Sequence, residues 1–211
     1  TVRIVPLENV AYDPLRHYTA LKFDNNSGVA VVSNGIQTEA IYETYRLIYN
    51  VGAPFTPENI DKLPRDPFGL PQSPFQPYFM KKLLDGADAE PDSLHTPRIA
   101  GAVLANLAHP QFIAGIKTYN YPAAVNPMAM DHPGIMAGVS TYTGDLDNPD
   151  PRDPERPLSP LEFYGKTPQD LARHLYDISA ADFKGTDIRV CAVAGIYSES
   201  TWDIAIINKF K

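Results

Sequence analysis

Cysteine and long apolar segments are nearly absent from this chain. The single cysteine, Cys191, excludes an internal disulfide, and its apolar neighbours predict a place in a buried strand. Apolar runs do not reach the roughly 20 residues that a bilayer-crossing helix needs, and residues 1–5 alternate like a strand and unlike a signal peptide. We therefore expect a protein of the reducing cytoplasm that has no membrane partner.

Positive charge is also scarce. Lys and Arg number 18 against 25 Asp and Glu, which leaves a formal net charge of −7. A nucleic-acid surface needs clustered basic residues, so we expect no nucleic-acid partner, and an anionic substrate would require a local basic pocket. With 211 residues, of which 44% are hydrophobic, the sequence is long enough for one domain spanning residues 1–211.

The first fifty residues show a strand pattern followed by a helix pattern. Tyr18–Phe23 alternates, residues 24–28 read as a turn, and residues 28–33 read as the return strand, which predicts an antiparallel hairpin. Apolar residues at helical spacing then predict a helix over residues 38–48, and its inner face carries Ile41, Tyr45 and Ile48.

The rest of the chain alternates between irregular and regular segments. Prolines dominate residues 52–78, which predicts a packed irregular excursion, and residues 145–160 have little to bury and should form an exposed loop. Thr167 before Pro168 predicts a helix start, with Leu171, Leu175 and Ile178 on the inner face. Other runs predict a helix over 78–85, a strand over 112–118 paired with 134–142, and strands over 188–193 and 202–207. This order predicts an α/β (α+β) sandwich with mostly antiparallel strands.

The chemically densest stretch is residues 90–98. Glu90, Asp92, His95, Thr96 and Arg98 fall within nine positions, and Pro97 favours a rigid loop. An anchored arginine beside carboxylates can clamp a phosphate or an amide. The residues by themselves favour a helix cap with a surface ion pair.

Four blocks in sequence order favour the functional interpretation. They are residues 18–22, residues 30–41, the Glu-Pro-Asp and Thr-Pro-Arg-Ile segments within residues 90–99, and residues 140–142. Together they resemble the archaeal-type IMP cyclohydrolases and their bacterial relatives. The resemblance implies the four-layer αββα sandwich of the N-terminal-nucleophile hydrolases. It also implies a cyclic amidine hydrolase activity of purine biosynthesis, the closure of 5-formamidoimidazole-4-carboxamide ribonucleotide to IMP with loss of water.

The same resemblance implies a purine-nucleotide partner and neither a cofactor nor a metal, and it leaves homo-oligomerisation open. In that family a segment with the first strands and an Asn-Arg motif precedes the position that matches Thr1. We therefore expect this sequence to lack those N-terminal strands.

Ring closure requires a proton acceptor, an oxyanion donor and a cation. The candidate catalytic residues are Glu90 as acceptor of the amide proton, Tyr18 as donor to the formyl oxygen, and Arg98 as the positive charge. The candidate substrate-binding residues are Lys22, which could share the positive charge with Arg98; Asn34 and Gly35, which could hold the carboxamide; and Thr38, Asp92, Thr96, Thr141 and Tyr142. Structural roles stay open for several of them: a core aromatic at Tyr18, a chain reversal at Asn34 and Gly35, and a helix cap at Thr38.

Two other functions stay open. Thr1 on a strand fits an N-terminal-nucleophile amidohydrolase whose hydroxyl is activated by its own amine, although the resemblance aligns Thr1 with an interior strand. The lack of a counterpart to the Asn-Arg segment fits a non-catalytic purine-nucleotide-binding protein.

Overall fold

The structure is a computed structural model, and it describes residues 1–6, 8, 10–13, 17–50, 75–87, 95–105, 110–129, 135–138, 142–143, 150–151, 159–162, 165–179, 182–183, 185–187 and 189–210. Within these residues the helices are α1 (Gln37–Asn50), α2 (Phe75–Asp85) and α3 (Pro168–Ile178). The strands are β1 (Val2–Ile4), β2 (Tyr18–Phe23), β3 (Val29–Ser33), β4 (Arg98–Leu104), β5 (Gln111–Lys117), β6 (Ala124–Ala129), β7 (Ile135–Gly138), β8 (Tyr142–Thr143), β9 (Asp150–Pro151), β10 (Ser159–Glu162), β11 (Asp182–Phe183), β12 (Thr186–Asp187), β13 (Cys191–Ser198) and β14 (Thr201–Asn208).

The first six strands form one antiparallel sheet in the order β1 to β6. Pairing of Leu21 with Val32 and of Phe23 with Ala30 confirms the predicted hairpin. In its turn, Asp24 Oδ2 accepts hydrogen bonds from the backbone N and the Oγ of Ser27, at 2.9 and 2.7 Å. An aspartate that bonds its own turn in this way favours the chain reversal.

A β-bulge changes the direction of side chains in β2. Arg3 of β1 lies opposite Thr19, whereas Val2 lies opposite Leu21, so Ala20 is an extra residue in β2. In a regular strand, residues three apart face opposite sides of the sheet. The bulge instead turns Thr19 and Lys22 to the same side, and both side chains bond Glu39 of α1.

The main core lies between this sheet and helices α1 and α2. α1 contributes Ile41 and Tyr45, one turn apart, and α2 contributes Met80 and Leu84 at the same spacing. They pack against the buried strand residues Val29, Val31, Ala100, Ala102, Leu104 and Ile113. A Cβ at Gly115 would lie 2.5 Å from Leu84 Cδ1, so glycine lets α2 approach β5 closely. The inner face predicted for α1 is confirmed at Ile41 and Tyr45, and the side chain of Ile48 lies outside the described part.

A second, smaller core forms where α3 packs on the β13–β14 hairpin. Its buried members are Ala172, Tyr176, Ala192 and Ile207. Thr167 is the N-cap of α3, as predicted, and it forms a capping box with Asp170. Asn25, in the β2–β3 turn, accepts hydrogen bonds from Trp202 N at its Oδ1 (2.9 Å) and from Tyr197 Oη at its backbone oxygen (3.1 Å). These two bonds connect the hairpin to the six-stranded sheet.

Three local predictions are wrong. β5 pairs with β4 and β6, and not with residues 134–142, where β7 pairs with β10. On α3 the predicted inner face fails at Ile178, which ends the helix with 49% of its surface exposed, whereas Leu175 packs against the smaller core as predicted; the buried residues are Pro168, Ala172 and Tyr176. Cys191 is only partly buried because it is the first residue of β13, which starts later than predicted and runs on to Ser198.

The two irregular segments are covered only in part. Residues 52–74 and most of residues 145–160 lie outside the described residues. Phe75 to Tyr78 belongs to α2, and residues 150–151 and 159–160 belong to β9 and β10.

The described architecture is mixed α/β with mostly antiparallel sheets, as the sequence predicts. None of the described helices combines the length and the apolar character needed to cross a bilayer.

Candidate functional site

One end of the six-stranded sheet gathers most of the predicted site residues. Because the strands are antiparallel, the starts of β2 and β4 lie at the same edge as the ends of β1, β3 and β5. Tyr18 starts β2, Arg98 starts β4, and Asn34 and Gly35 follow β3. Helix α1 starts at this edge too. Residues that are separated by up to eighty positions in sequence therefore become neighbours.

Asn34 joins the end of β3 to the segment before β4. Its Nδ2 donates to Pro97 O at 2.8 Å, and its Oδ1 accepts from Ile99 N at 2.9 Å. Gln37 Nε2 also donates to Asn34 Oδ1, at 3.1 Å. The amide predicted to bind a substrate carboxamide is thus engaged in holding the Thr-Pro-Arg segment in place.

Arg98 is buried beside Gly35. Only 8% of its surface is exposed, and a Cβ at Gly35 would collide with Arg98 Nη1. Glycine at position 35 therefore makes the space that the guanidinium occupies. The same hypothetical Cβ would lie 2.6 Å from Gln37 Oε1, a buried oxygen with no hydrogen-bond partner among the described residues. Gln37 is a polar residue of this site that the sequence analysis did not single out.

Lys22 is held by two carboxylates of α1. Its Nζ lies 2.5 Å from Glu39 Oε2 and 2.9 Å from Glu43 Oε1, and 4.6 Å from the centre of the Tyr42 ring. Hydrogen bonds from Lys22 lower the pKa of both Glu39 and Glu43. Burial alone would lower the pKa of Lys22, but its bonds to these carboxylates outweigh burial and raise it. The charge of Lys22 is therefore paired with the Glu39 and Glu43 carboxylates, and Lys22 does not present an unpaired charge to a ligand.

Thr38 and Thr96 differ in burial. Thr38 is fully buried in the first turn of α1, where its Oγ1 contacts Ser33 Oγ at 2.5 Å and donates to Gly35 O at 3.1 Å. These bonds fix the turn between β3 and α1. Thr96 is half-buried two residues before β4. The neighbouring His95 has φ of 49° and stacks on Tyr119 with 4.1 Å between ring centres.

The remaining predicted residues are not placed in detail. Glu90, Asp92 and Thr141 lie outside the described residues. Tyr142 belongs to β8, which pairs with β9, and only its backbone is described. Their place relative to Arg98 stays a prediction.

A cleft of about 440 Å³ opens beside β1 and β2 at this end of the sheet. Its lining residues are Arg3, Ile4, Val5, Tyr12, His17, Tyr18, Thr19, Ile36 and Glu39. Tyr18 is the predicted catalytic residue that lines it. Arg3, His17 and Glu39 were missed, because the pairing of Arg3 with Thr19 and the approach of α1 depend on tertiary contacts that local patterns do not show.

The site is thus two adjoining groups of residues. Asn34, Gly35, Gln37 and Arg98 form a buried polar group, and Tyr18 stands in the open cleft next to the Thr19–Glu39–Lys22 hydrogen bonds. Within the described ranges, no three His, Cys, Asp or Glu side chains are arranged to hold a metal ion. Comparisons with protein-family models and with curated proteins match nothing to this chain.

Proposed function

We propose that this protein closes 5-formamidoimidazole-4-carboxamide ribonucleotide to IMP. The observation that carries the proposal is the convergence of three of the four resembling blocks at one end of the sheet. Asn34 bonds Pro97 and Ile99, which joins the second block to the third, and Glu39 accepts a 2.8 Å hydrogen bond from Thr19, which joins the second block to the first. These contacts bring side chains of three blocks together, as a shared substrate site requires.

In the proposed reaction the carboxamide nitrogen attacks the formyl carbon. A C–N bond forms, the carboxamide nitrogen loses one proton, and the formyl oxygen takes up negative charge and is protonated to a hydroxyl. The C–O bond then breaks while the formamido nitrogen loses a second proton and the ring C=N bond forms, so that the oxygen leaves as water. Tyr18 is proposed to donate a hydrogen bond to the formyl oxygen, and its position in the cleft supports this role. Glu90 is proposed to accept the proton that the carboxamide nitrogen loses.

Arg98 is proposed to supply fixed positive charge from its buried position beside Gly35. Its burial beside Gly35 and Gln37 holds the guanidinium in one orientation, and preorganised charge stabilises a developing anion without reorganisation during the reaction. Lys22 is proposed to act through Glu39, which it keeps ionised and in place at the cleft wall.

We also propose that the full architecture is the four-layer αββα sandwich, in a cytoplasmic enzyme. The burial of β5 on both faces supports the four-layer architecture. Ile113 is fully buried on the face that carries α2, and Ala114 and Ile116, which point to the opposite face, are only 1% and 5% exposed. A strand covered on both faces belongs to an internal layer.

The test is turnover of the formamido ribonucleotide by the purified protein, with IMP separated by chromatography. Tyr18→Phe keeps the ring and removes only the hydroxyl, so kcat should fall by about 10²- to 10³-fold with an unchanged melting temperature. Tyr78→Phe is the matched control, since Tyr78 is 52% exposed on α2, and it should keep full activity. Absence of IMP formation by the wild-type protein would refute the activity, and equal turnover by Tyr18→Phe would remove Tyr18 from the chemistry.

A further inference from the structure

Among the described residues that line the cleft, one positive charge stands outside the local ion-pair network. Lys22 and Arg46 pair with Glu39 and Glu43 in one network of two positive and two negative groups, with N–O distances between 2.5 and 2.9 Å. Glu39, the carboxylate that lines the cleft, is therefore already compensated. Arg3 lines the same cleft and forms no ion pair with any described residue. A positive charge that has no ion-pair partner in the described part of the chain attracts anions locally, even in a protein with a net charge of −7.

The position of Arg3 follows from the β1–β2 pairing. Residues directly opposite each other in an antiparallel pair share a face of the sheet, and Arg3 lies opposite Thr19. Thr19 Oγ1 donates to Glu39 Oε1 at 2.8 Å, which identifies that face as the one toward α1. Arg3 is solvent-exposed there, so its guanidinium can reach a ligand without leaving a buried partner unpaired.

His17 is a second polar side chain that lines the cleft, and its ring is held by the chain before β2. His17 Nδ1 lies 3.0 Å from both the backbone N and the backbone O of Asp13, and the ring packs against Tyr12 with 5.4 Å between centres. Nε2 carries a proton and can donate in two forms of the ring: the neutral tautomer in which Nδ1 accepts from Asp13 N, and the imidazolium, in which Nδ1–H donates to Asp13 O. An arginine and a histidine Nε2–H in one cleft are a donor set suited to phosphate oxygens.

We propose that Arg3 and His17 form an anion subsite that binds the phosphate monoester of a nucleotide in this cleft. The volume of about 440 Å³ falls in the range of small-molecule sites. The proposal rests on the proposed function for the identity of the ligand as a purine nucleotide. It differs from the sequence-based expectation, in which Arg98 and Lys22 supply the positive charge, because Lys22 is paired with Glu39 and Glu43.

The experiment is isothermal titration of the whole protein with IMP, with ribose 5-phosphate and with inosine, which has the same base and sugar as IMP but no phosphate. Arg3→Ala should weaken binding of IMP and of ribose 5-phosphate by about 10- to 100-fold, since charge-assisted hydrogen bonds are lost. Inosine affinity should not change. Arg3→Lys should recover part of the loss, and the matched control Arg173→Ala, at an exposed position of α3, should behave like the wild type.

A second variant separates binding from folding. His17→Gln keeps a side-chain donor and should lose less affinity for ribose 5-phosphate than His17→Ala, at equal melting temperatures. Equal losses for IMP and inosine, or no loss for either phosphate ligand, would overturn the subsite. If the wild type binds both phosphate ligands through Arg3 but produces no IMP from the formamido ribonucleotide, the subsite stands and only the proposed reaction fails.

Discussion

At the scale of single residues, Gly35 connects the fold to the candidate chemistry. Two polar groups, the Arg98 guanidinium and Gln37 Oε1, lie where the side chain of any other residue would begin. Its backbone conformation is not one that requires glycine, since the positive-φ glycines among the described residues are Gly28 and Gly185. Glycine is therefore required at position 35 for space, and the size of this residue determines where the Arg98 guanidinium can lie.

Gly35→Ala should displace the Arg98 guanidinium, because the added methyl group collides with the end of a flexible side chain and not with backbone. We expect a loss of stability of about 1–3 kcal/mol from overpacking, together with a loss of IMP formation. Urea unfolding and turnover should be measured on the same preparation.

Gly86→Ala is the control for that substitution. A Cβ at Gly86 would have Lys82 O as its nearest atom, at 3.4 Å, which is ordinary van der Waals contact. The free energy of unfolding of the Gly86→Ala protein should therefore change by no more than about 0.5 kcal/mol. Normal activity and stability in Gly35→Ala would show that Arg98 does not depend on the space at this glycine.

At the scale of secondary-structure elements, α3 is the clearest case of local sequence determining structure. Thr167 Oγ1 accepts from Asp170 N at 3.1 Å, and Asp170 Oδ2 accepts from Thr167 N at 3.2 Å. These bonds satisfy backbone donors that a helix start leaves unpaired, and Pro168 supplies a helical φ at the first position.

Thr167→Ala should remove this cap and cost about 1 kcal/mol of stability, while Thr167→Ser should keep most of it. Thermal unfolding of both variants, followed by circular dichroism, checks the difference. If the alanine and serine variants melt at the same temperature, the capping box does not contribute to the stability of the folded chain.

Other elements show where sequence reasoning stops. The sequence does not indicate β6 because Asn126 and Pro127 interrupt its strand pattern, and proline is tolerated there because β6 is at the edge of the sheet formed by the described strands. Without β6, the sequence pattern pairs β5 with residues 134–142. The bulge at Ala20 is also invisible in the sequence. Regular alternation would place Lys22 on the opposite side of the sheet from Thr19 and Glu39, so the Lys22–Glu39 bond could not be predicted.

At the scale of the whole molecule, the described chain has two apolar cores. The larger lies between the six-stranded sheet and helices α1 and α2, and the smaller lies between α3 and the β13–β14 hairpin. The Asn25 side chain and backbone bond the hairpin to the β2–β3 turn. Local sequence patterns do not predict this role of Asn25, because its partners lie more than 170 residues away in the sequence.

Asn25→Ala should weaken the connection between the two cores, because it removes the acceptor of Trp202 N and leaves the backbone acceptor of Tyr197 in place. Loss of one hydrogen bond of about 0.5–1.5 kcal/mol should speed hydrogen exchange in residues 191–208 by roughly 2- to 10-fold, with residues 98–117 unchanged. Asn25→Asp keeps an acceptor oxygen and is the control. Uniform acceleration across both regions would indicate that the two cores open together.

Trp202 is the only tryptophan of the sequence, and it lies where the hairpin meets the turn. Its indole Nε1 is buried with no partner among the described residues, and its ring lies 5.1 Å from that of Tyr197. The intrinsic tryptophan fluorescence of this protein consequently reports on one location, the contact between the β13–β14 hairpin and the β2–β3 turn. Water that reaches the nitrogen when the hairpin detaches would shift the emission to longer wavelength, before or together with the ellipticity change of the complete chain. The order of these two signals reveals, in the unmodified protein, whether unfolding is one transition or two.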